Sequence, residues 1–252
     1  WPHPALACRH QRSGHNALFL VEMLKAILEQ GPRTAGEGWA RPDGTAALPT
    51  PSSLRELVGQ RLQRLPPALR TTVELAAVLG EEVGFGLLAR ASPAEAVELA
   101  SHLAGLCQRG FLAETACGYR FEHEVVRETI YGVTSPHRRQ ALHRQAVTAL
   151  EALQPEALEG LAHHAAAGGD RPRAAHYCRL AGERAAAQYA NADALSYLDR
   201  ALELTPAERG AERYELLLTC ERVHDVQGAR AEQQEDLAEL GVQLATRGGR
   251  QS

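Results

Sequence analysis

The sequence predicts an all-α fold that contains one small β-hairpin. Alanine, leucine, arginine and glutamate dominate the composition, whereas aromatic residues make up 5% of the chain. This balance favours packed helices over a sheet. Apolar residues recur at helical spacing through most of the chain. One stretch, residues 111–122, instead has the pattern of two short strands around a turn.

Charge and cysteine content exclude several classes of protein. The formal net charge of −4 gives no basic field for a nucleic acid backbone, so we expect DNA to be contacted only through a domain outside this chain. The five dispersed cysteines form no C-x-x-C pair, which argues against a disulfide framework and a zinc knuckle. Every apolar run is too short to span a bilayer, and no secretory leader is visible. We therefore expect a cytoplasmic protein with reduced thiols and no membrane partner.

The first part of the chain is predicted to be one helix followed by a linker. Residues 1–12 show no period, and an amphipathic stretch at residues 17–30 ends at Gly31 and Pro32. No helix interior tolerates the density of glycine and proline across residues 31–51. Because the chain begins at Trp1 and not at methionine, we expect it to be a piece of a longer protein.

Three helices are predicted next. A capping box at residues 53–56 opens the first, which ends at Pro66, and the second ends at Gly80. A capping box at residues 92–95 opens the third, which ends at Gly110. The predicted inner faces are Leu54, Leu57, Val58, Leu62 and Leu65 in the first helix, Leu69, Val73, Ala76 and Ala77 in the second, and Val97, Ala100, Leu103, Ala104 and Cys107 in the third.

A small hairpin follows these helices. Its predicted strands are residues 111–114 and 119–122, around a turn that ends in Gly118. The next helix covers residues 123–133, with Val126, Ile130 and Val133 facing inward. Helices followed by such a hairpin are typical of a winged helix. We therefore predict a winged-helix-like domain over residues 49–134.

The remainder, residues 135–252, is predicted to be a tetratricopeptide-like α-solenoid. Between residues 178 and 206, small, small, bulky, small and proline residues fall at the tetratricopeptide offsets. These are Gly182, Ala194, Leu198, Ala201 and Pro206. An ordinary alanine-rich helical hairpin would explain the same residues. An earlier helix has an inner face of Leu142, Ala146, Ala149, Leu150 and Leu153, and flanking helices are predicted at residues 155–167, 207–226 and 229–246.

Motifs for catalysis and for metal binding are incomplete. Residues 123–127 resemble a zinc-protease helix, but Arg127 stands where the second histidine is needed. His163 and His164 are adjacent and are predicted to point to different sides of a helix, which is poor geometry for a metal unless residues elsewhere in the chain supply further ligands. We expect histidines in solvent or in helix packing and no metal site. The sequence contains no phosphate loop, no G-x-G-x-x-G segment after a strand and no G-x-S-x-G elbow. We therefore predict no catalytic residue and no enzyme.

One basic cluster is a further candidate for contact with phosphate. It consists of His137, Arg138, Arg139 and His143 near the start of a helix. The cluster could touch phosphate or nucleic acid. The alternative is an ordinary solvated helix face.

Several blocks in order resemble the STAND class of signal-transduction ATPases, in particular bacterial regulators in which a nucleotide-binding module precedes a winged helix and a tetratricopeptide array. The resemblance runs from Gly14 to Pro206. Its blocks are Gly14-His-Asn-Ala-Leu-Phe-Leu-Val-Glu-Met-Leu24, Leu48-Pro-Thr-Pro-Ser-Ser-Leu-Arg-Glu-Leu-Val58, Arg61-Leu-Gln-Arg-Leu-Pro66, Leu75-Ala-Ala-Val-Leu-Gly80, Tyr119-Arg-Phe-Glu-His-Glu-Val-Val-Arg-Glu-Thr-Ile-Tyr131 and Arg138-Arg-Gln-Ala-Leu-His143. The first block departs from the family's pattern, with His15 in place of glycine and Ala17 in place of proline.

The resemblance implies a molecular switch. ADP or ATP would be held by an ATPase module upstream, with residues 1–48 as the remnant of its lid plus a linker. A protein or small-molecule inducer on the solenoid would open the switch, and self-association and control of transcription would follow. Asn16 would lie near the nucleotide, and His123 would contact the ADP phosphate. The alternative for His123 is a structural histidine that bonds the hairpin backbone.

Two other classes of function compete with this interpretation. The first is a stand-alone scaffold whose solenoid binds a partner peptide, with the winged helix as packing support or as a DNA reader. The second is an unrecognised helical enzyme, for which the sequence shows no constellation of nucleophile, base and orienting group.

Overall fold

The chain folds into helices and one small sheet. A computed structural model describes residues 54–227, together with Gln234, Leu237 and Ala238. These residues form ten α-helices and a three-stranded sheet, which confirms a mostly helical fold. The predicted helix at residues 17–30, the linker and Asn16 lie outside the described residues. Of the predicted helix at residues 229–246 the structure describes Gln234, Leu237 and Ala238, all three as helical. No helix within residues 54–227 combines the length and the apolarity that a bilayer crossing requires.

The described residues divide into two compact units, with the boundary between Pro136 and His137. Unit 1 contains α1 (Leu54–Arg64), α2 (Pro67–Leu79), β1 (Glu82–Val83), α3 (Phe85–Ala91), α4 (Ala96–Gln108), β2 (Leu112–Glu114), β3 (Tyr119–Phe121) and α5 (Glu124–Val133). Its core is mainly apolar and draws on every helix. The largest fully buried apolar residues are Leu62, Leu75, Leu88, Leu99, Leu103, Leu106, Phe111, Leu112 and Ile130.

The sheet of unit 1 is antiparallel, in the order β1-β3-β2. The predicted hairpin is confirmed, with Ala113 opposite Arg120. Strand β1 was not predicted. It pairs Val83 with Tyr119, and this approach depends on Gly118, where a Cβ would lie 2.3 Å from the carbonyl oxygen of Val83.

The prediction for α4 is wrong at its start and on most of its inner face, where Leu103 is buried as predicted but Ala100 and Ala104 are exposed. Ser92 ends α3, and its hydroxyl accepts a hydrogen bond from the backbone N–H of Ala94 at 3.1 Å, so it does not cap a helix that begins at Ala96. Val97 is 82% exposed. The buried stripe consists of Leu99, Leu103 and Leu106. Two further predicted inward residues, Val133 in α5 and Leu153 in α6, are also exposed, because each lies in the last turn of its helix.

Unit 2 is a succession of helices. They are α6 (Pro136–Leu153), which begins at the unit boundary, α7 (Leu158–Ala167), α8 (Arg171–Ala187), α9 (Asn191–Leu204) and α10 (Gly210–Gln227). Helix α8 packs on both α7 and α9, and α9 packs on α10. The phenol of Tyr177 on α8 donates a hydrogen bond of 2.7 Å to Glu151 on α6. Burial and this carboxylate raise the pKa of Tyr177 to about 12.

Helices α8 and α9 approach each other closely at Gly182. A Cβ at this position would lie 2.8 Å from Cγ of Leu198 and 3.2 Å from the carbonyl oxygen of Ala194. Ala194, Leu198 and Ala201 are fully buried on α9. The contact surface of this pair therefore requires small residues on both helices, with Leu198 filling the space between them.

Candidate functional site

Three histidines of unit 2 meet between α6 and α7. His143 lies in the middle of α6, and His163 and His164 lie in the second half of α7. One nitrogen from each ring can be chosen so that the three atoms lie within 4.8 Å of one another. The shortest separation joins Nδ1 of His143 to Nδ1 of His164, at 2.8 Å. The ring of His163 lies 5.6 Å from that of His143 and 5.2 Å from that of His164, centroid to centroid.

The helix periodicity explains how these side chains come together. His143 follows Leu142 on the buried side of α6, and His164 falls on the side of α7 that buries Leu161 and Ala165. His163 precedes His164 by one residue, a rotation of about 100° around the helix, and it is exposed. Two of the imidazoles therefore belong to the core between the helices, and the third lies at its edge, where solvent has access.

The two helices are held together beside the cluster. Arg144 on α6 donates a hydrogen bond of 2.7 Å from Nε to the carbonyl oxygen of Gly168, at the end of α7. A Cβ at Gly168 would lie 3.1 Å from Cγ of Arg144. A hydrogen bond from a charged guanidinium to a terminal helix carbonyl is both strong and specific in direction, so it fixes the end of α7 against α6.

Burial keeps the two inner imidazoles neutral. His143 is 1% exposed and His164 is 6% exposed. The pKa of His143 is lowered to about 4, mainly by loss of solvation and to a smaller extent by the nearby His163 and Arg139. The pKa of His164 is lowered to about 3, mainly by loss of solvation and to a smaller extent by His143 and His163. In a neutral pair one ring donates N–H and the other accepts, so the 2.8 Å contact is a hydrogen bond between neutral rings.

These positions correct one expectation from the sequence and agree with another. His143 is buried, so it does not belong to an exposed basic cluster with His137 and Arg138, which are both exposed. The adjacent histidines on α7 do differ in exposure, as their helical spacing predicts, but both rings still reach His143. The signal that could have placed His143 inside is its spacing from Val147 and Leu150, both buried on α6.

The other predicted site residue, His123, lies in unit 1 at the start of α5. It is exposed, has extended backbone angles (φ −145°, ψ 131°), and its side chain makes no capping hydrogen bond. Its carbonyl oxygen accepts the N–H of Val126 at 2.9 Å. His123 thus stands at the N-terminus of a ten-residue helix, where the helix dipole favours anions.

The rest of the incomplete protease motif is an ion pair. Arg127 donates from Nε to a carboxylate oxygen of Glu124 at 2.7 Å, and from Nη1 to the carbonyl oxygen of Ala77 at 3.1 Å. The hydrogen bond from Arg127 lowers the pKa of Glu124. These contacts bind α5 to the last turn of α2, so Glu124 and Arg127 stabilise the packing of unit 1.

Unit 1 also contains a fully buried arginine, Arg61. The guanidinium of Arg61 lies over the ring of Phe111, 4.4 Å from its centroid, and donates to the carbonyl oxygen of Arg109. The aromatic face and the carbonyl together replace part of the solvation that this charge loses on burial. Arg61 therefore joins α1 to the turn between α4 and β2.

Comparisons with known proteins give one distant relative. No family model matches the chain, and no solved structure matches it. An uncharacterized protein of Rhizobium meliloti (strain 1021) is 31% identical over 162 residues. The match covers 61% of this chain and 16% of that protein, so the chain spans about a sixth of the length of the relative. Because the relative is itself uncharacterized, it carries no activity over to this chain.

Proposed function

We propose that this chain is the regulatory and sensor portion of a STAND-type, ATP-dependent signalling switch that controls transcription. The observation that carries the proposal is the order of the two units. Helices with a small antiparallel sheet come first, and a succession of packed helices follows. This is the order of parts that the resemblance across residues 14–206 implies. The matched relative is also far longer than the matched stretch, as a module within a larger chain would require.

Unit 1 supports the winged-helix part of the proposal. Its sheet ends in the β2–β3 hairpin, which would be the wing, and β1 adds a third antiparallel strand between α2 and α3. Helix α5 follows the wing directly and packs on α1 and α2. In such a switch the winged helix closes against the ATPase module, and it needs no base-reading surface of its own.

Unit 2 supports the solenoid part. The residues at the tetratricopeptide offsets, Gly182, Ala194, Leu198 and Ala201, are all buried where α8 meets α9. Packing of helices on their chain neighbours is the arrangement of repeat arrays, which present an extended surface to partners. We infer that this surface binds the inducer, a protein or a small molecule.

His123 gives the proposal its sharpest test. The ring is exposed at a helix N-terminus, so a phosphate of ADP bound upstream could reach both the imidazole and the first-turn N–H groups. In the full-length protein, His123→Gln is expected to release ADP during gel filtration, whereas wild type retains it. His137→Gln, which alters another exposed histidine, should retain ADP as wild type does. Absence of nucleotide from the wild-type protein, or equal retention in His123→Gln, would contradict the proposal.

The alternative is a stand-alone tetratricopeptide-type scaffold. The close α8–α9 packing favours it equally, because binding a peptide needs the solenoid and no nucleotide. The two functions differ in what stabilises the full-length protein against heat. Stabilisation by adenine nucleotide supports the switch, whereas stabilisation by a partner peptide with no response to nucleotide supports the scaffold.

A further inference from the structure

We propose that His143, His163 and His164 form a binding site for a divalent transition-metal ion, with Zn²⁺ the ion that the donors suit best. Nothing in the proposed switch requires this site, so the two proposals stand or fall separately. Among the residues that the structure describes, these three form the one group of metal-binding side chains whose donor atoms lie close enough together to hold an ion. All three donors are imidazoles, and two of the residues are buried.

The separations between the donors suit a single ion. Zinc lies about 2.0–2.1 Å from a histidine nitrogen, so two nitrogens of a tetrahedral site are about 3.3 Å apart. The Nδ1 atoms of His143 and His164 are 2.8 Å apart and must separate by about 0.5 Å to admit the ion. A donor nitrogen of His163 lies within 4.8 Å of a donor nitrogen of each of the other two rings, so this exposed ring must move closer to complete the site.

The surroundings favour an ion in a fixed position. Imidazole binds metal in its neutral form, and His143 and His164 are both buried. Their helices are connected by the bond from Arg144 to Gly168, so the donors are largely preorganised. The exposed side of His163 gives the ion a route of entry and leaves room for a water as the fourth ligand. Three protein ligands and one water are the ligands of an open zinc site. Arg139 and Arg144 carry the nearby positive charges that oppose a cation.

The two buried histidines lie in an otherwise apolar setting. The buried residues around them on α6 and α7 are apolar, namely Leu142, Ala146, Leu161, Ala162 and Ala165. A leucine at either inner position would avoid the loss of solvation that a buried imidazole suffers. A bound ion turns that cost into a link between α6 and α7, because it adds bonds that exist only in the folded state.

The test is a titration of the purified chain with Zn²⁺ after treatment with a chelator. We expect one ion bound per chain by calorimetry, and a rise in the melting temperature. Co²⁺ as a probe should give the visible absorption of a four-coordinate site. His163→Gln is the decisive variant, because this side chain is exposed and its replacement should leave the fold intact. It should weaken Zn²⁺ binding by more than about 100-fold, which exceeds the typical cost of losing a residue that only hydrogen-bonds to a metal ligand.

The control is His176→Gln, which removes an exposed histidine of α8 outside the cluster. It should bind Zn²⁺ as wild type does. The proposal is overturned if wild type shows no stoichiometric binding. It is also overturned if His163→Gln binds as tightly as wild type, since the ion would then be held by other donors, such as the histidines and the cysteine in residues 1–15.

Discussion

Replacing Gly182 with alanine tests the close packing of α8 and α9. Two effects oppose each other. Alanine gains about 1 kcal/mol over glycine in a helix interior. The new methyl group would lie 2.8 Å from Cγ and 3.0 Å from Cδ2 of Leu198, and 3.2 Å from the carbonyl oxygen of Ala194. Leu198 is fully buried, so neither the branch carbon nor the backbone oxygen can move away freely.

Overpacking of this kind costs about 1–3 kcal/mol, so the clash outweighs the gain in helix propensity. We expect Gly182→Ala to lower the free energy of unfolding of unit 2 by about 1–2 kcal/mol. The assay is urea denaturation followed by circular dichroism, with the midpoint compared at constant m-value. Gly160→Ala is the matched control in α7, because the nearest atom to its Cβ, Cδ1 of Leu150, lies at an ordinary 3.8 Å. That variant should be as stable as wild type or more stable.

A double-mutant cycle identifies the clashing partner. Leu198→Ala alone should cost about 2–5 kcal/mol, because it empties a fully buried site. In that background Gly182→Ala should become neutral or stabilising, since the leucine branch is gone and the helix propensity gain remains. The reasoning is refuted if Gly182→Ala is as stable as Gly160→Ala in the wild-type background, or if its cost is unchanged when Leu198 is removed.

Two further predictions concern the stability of the fold at low pH and the packing of β1 against the hairpin. The pKa values of about 4 and 3 for His143 and His164 lie below the ordinary value of about 6.5, so the unfolded chain takes up protons that the folded chain excludes. The stability contributed by the neutral pair is therefore complete above about pH 6.5 and is lost as the pH falls toward the folded-state values. When the pH falls from about 7.5 to about 5.5, proton uptake by these two histidines in the unfolded chain should lower the free energy of unfolding by about 2–3 kcal/mol. Denaturation at both pH values measures this change. His164→Leu should remove about half of this pH dependence and His137→Gln should leave it unchanged; equal dependence in both variants would contradict the assignment. Gly118→Ala should separate β1 from the hairpin, because its Cβ would lie 2.3 Å from the oxygen of Val83 and 2.7 Å from Cα of Gly84, and two backbone atoms cannot both give way. A loss of about 2 kcal/mol or more is expected, with faster amide exchange at Tyr119; Gly86→Ala, whose Cβ meets nothing within 4 Å, is the control, and equal stability of the two variants would show that β1 tolerates the side chain.

The sequence predicted elements whose signals are local. The β2–β3 hairpin was found because two short apolar strands flank a turn that ends in Gly118. Strand β1 was missed because it has two residues, and its partner Tyr119 lies far along the chain. Helix α3 was missed because it has seven residues, too few to establish a period. Ser92 was interpreted as a helix cap because a serine three residues before a glutamate fits that motif, but its hydroxyl bonds to the N–H of Ala94 two residues on.

The histidine cluster shows the limit of the same reasoning at a site. Adjacent residues on a helix diverge by about 100°, and this correctly separates the buried His164 from the exposed His163. Whether a third ring approaches them depends on the register between α6 and α7, which is set by contacts such as the one from Arg144 to Gly168. That register involves residues far apart in the sequence, so helical periodicity alone could not place His143 within 2.8 Å of His164.

The central claim, that this chain is the sensor portion of a nucleotide switch, is tested most directly by sequencing the native transcript upstream of the codon for Trp1. The account predicts an in-frame phosphate loop and an acidic strand before Gly14, because the ADP that His123 would contact must be held by such a module. An authentic start codon near Trp1, with neither motif before it, would contradict the account and leave the scaffold as the function of the chain.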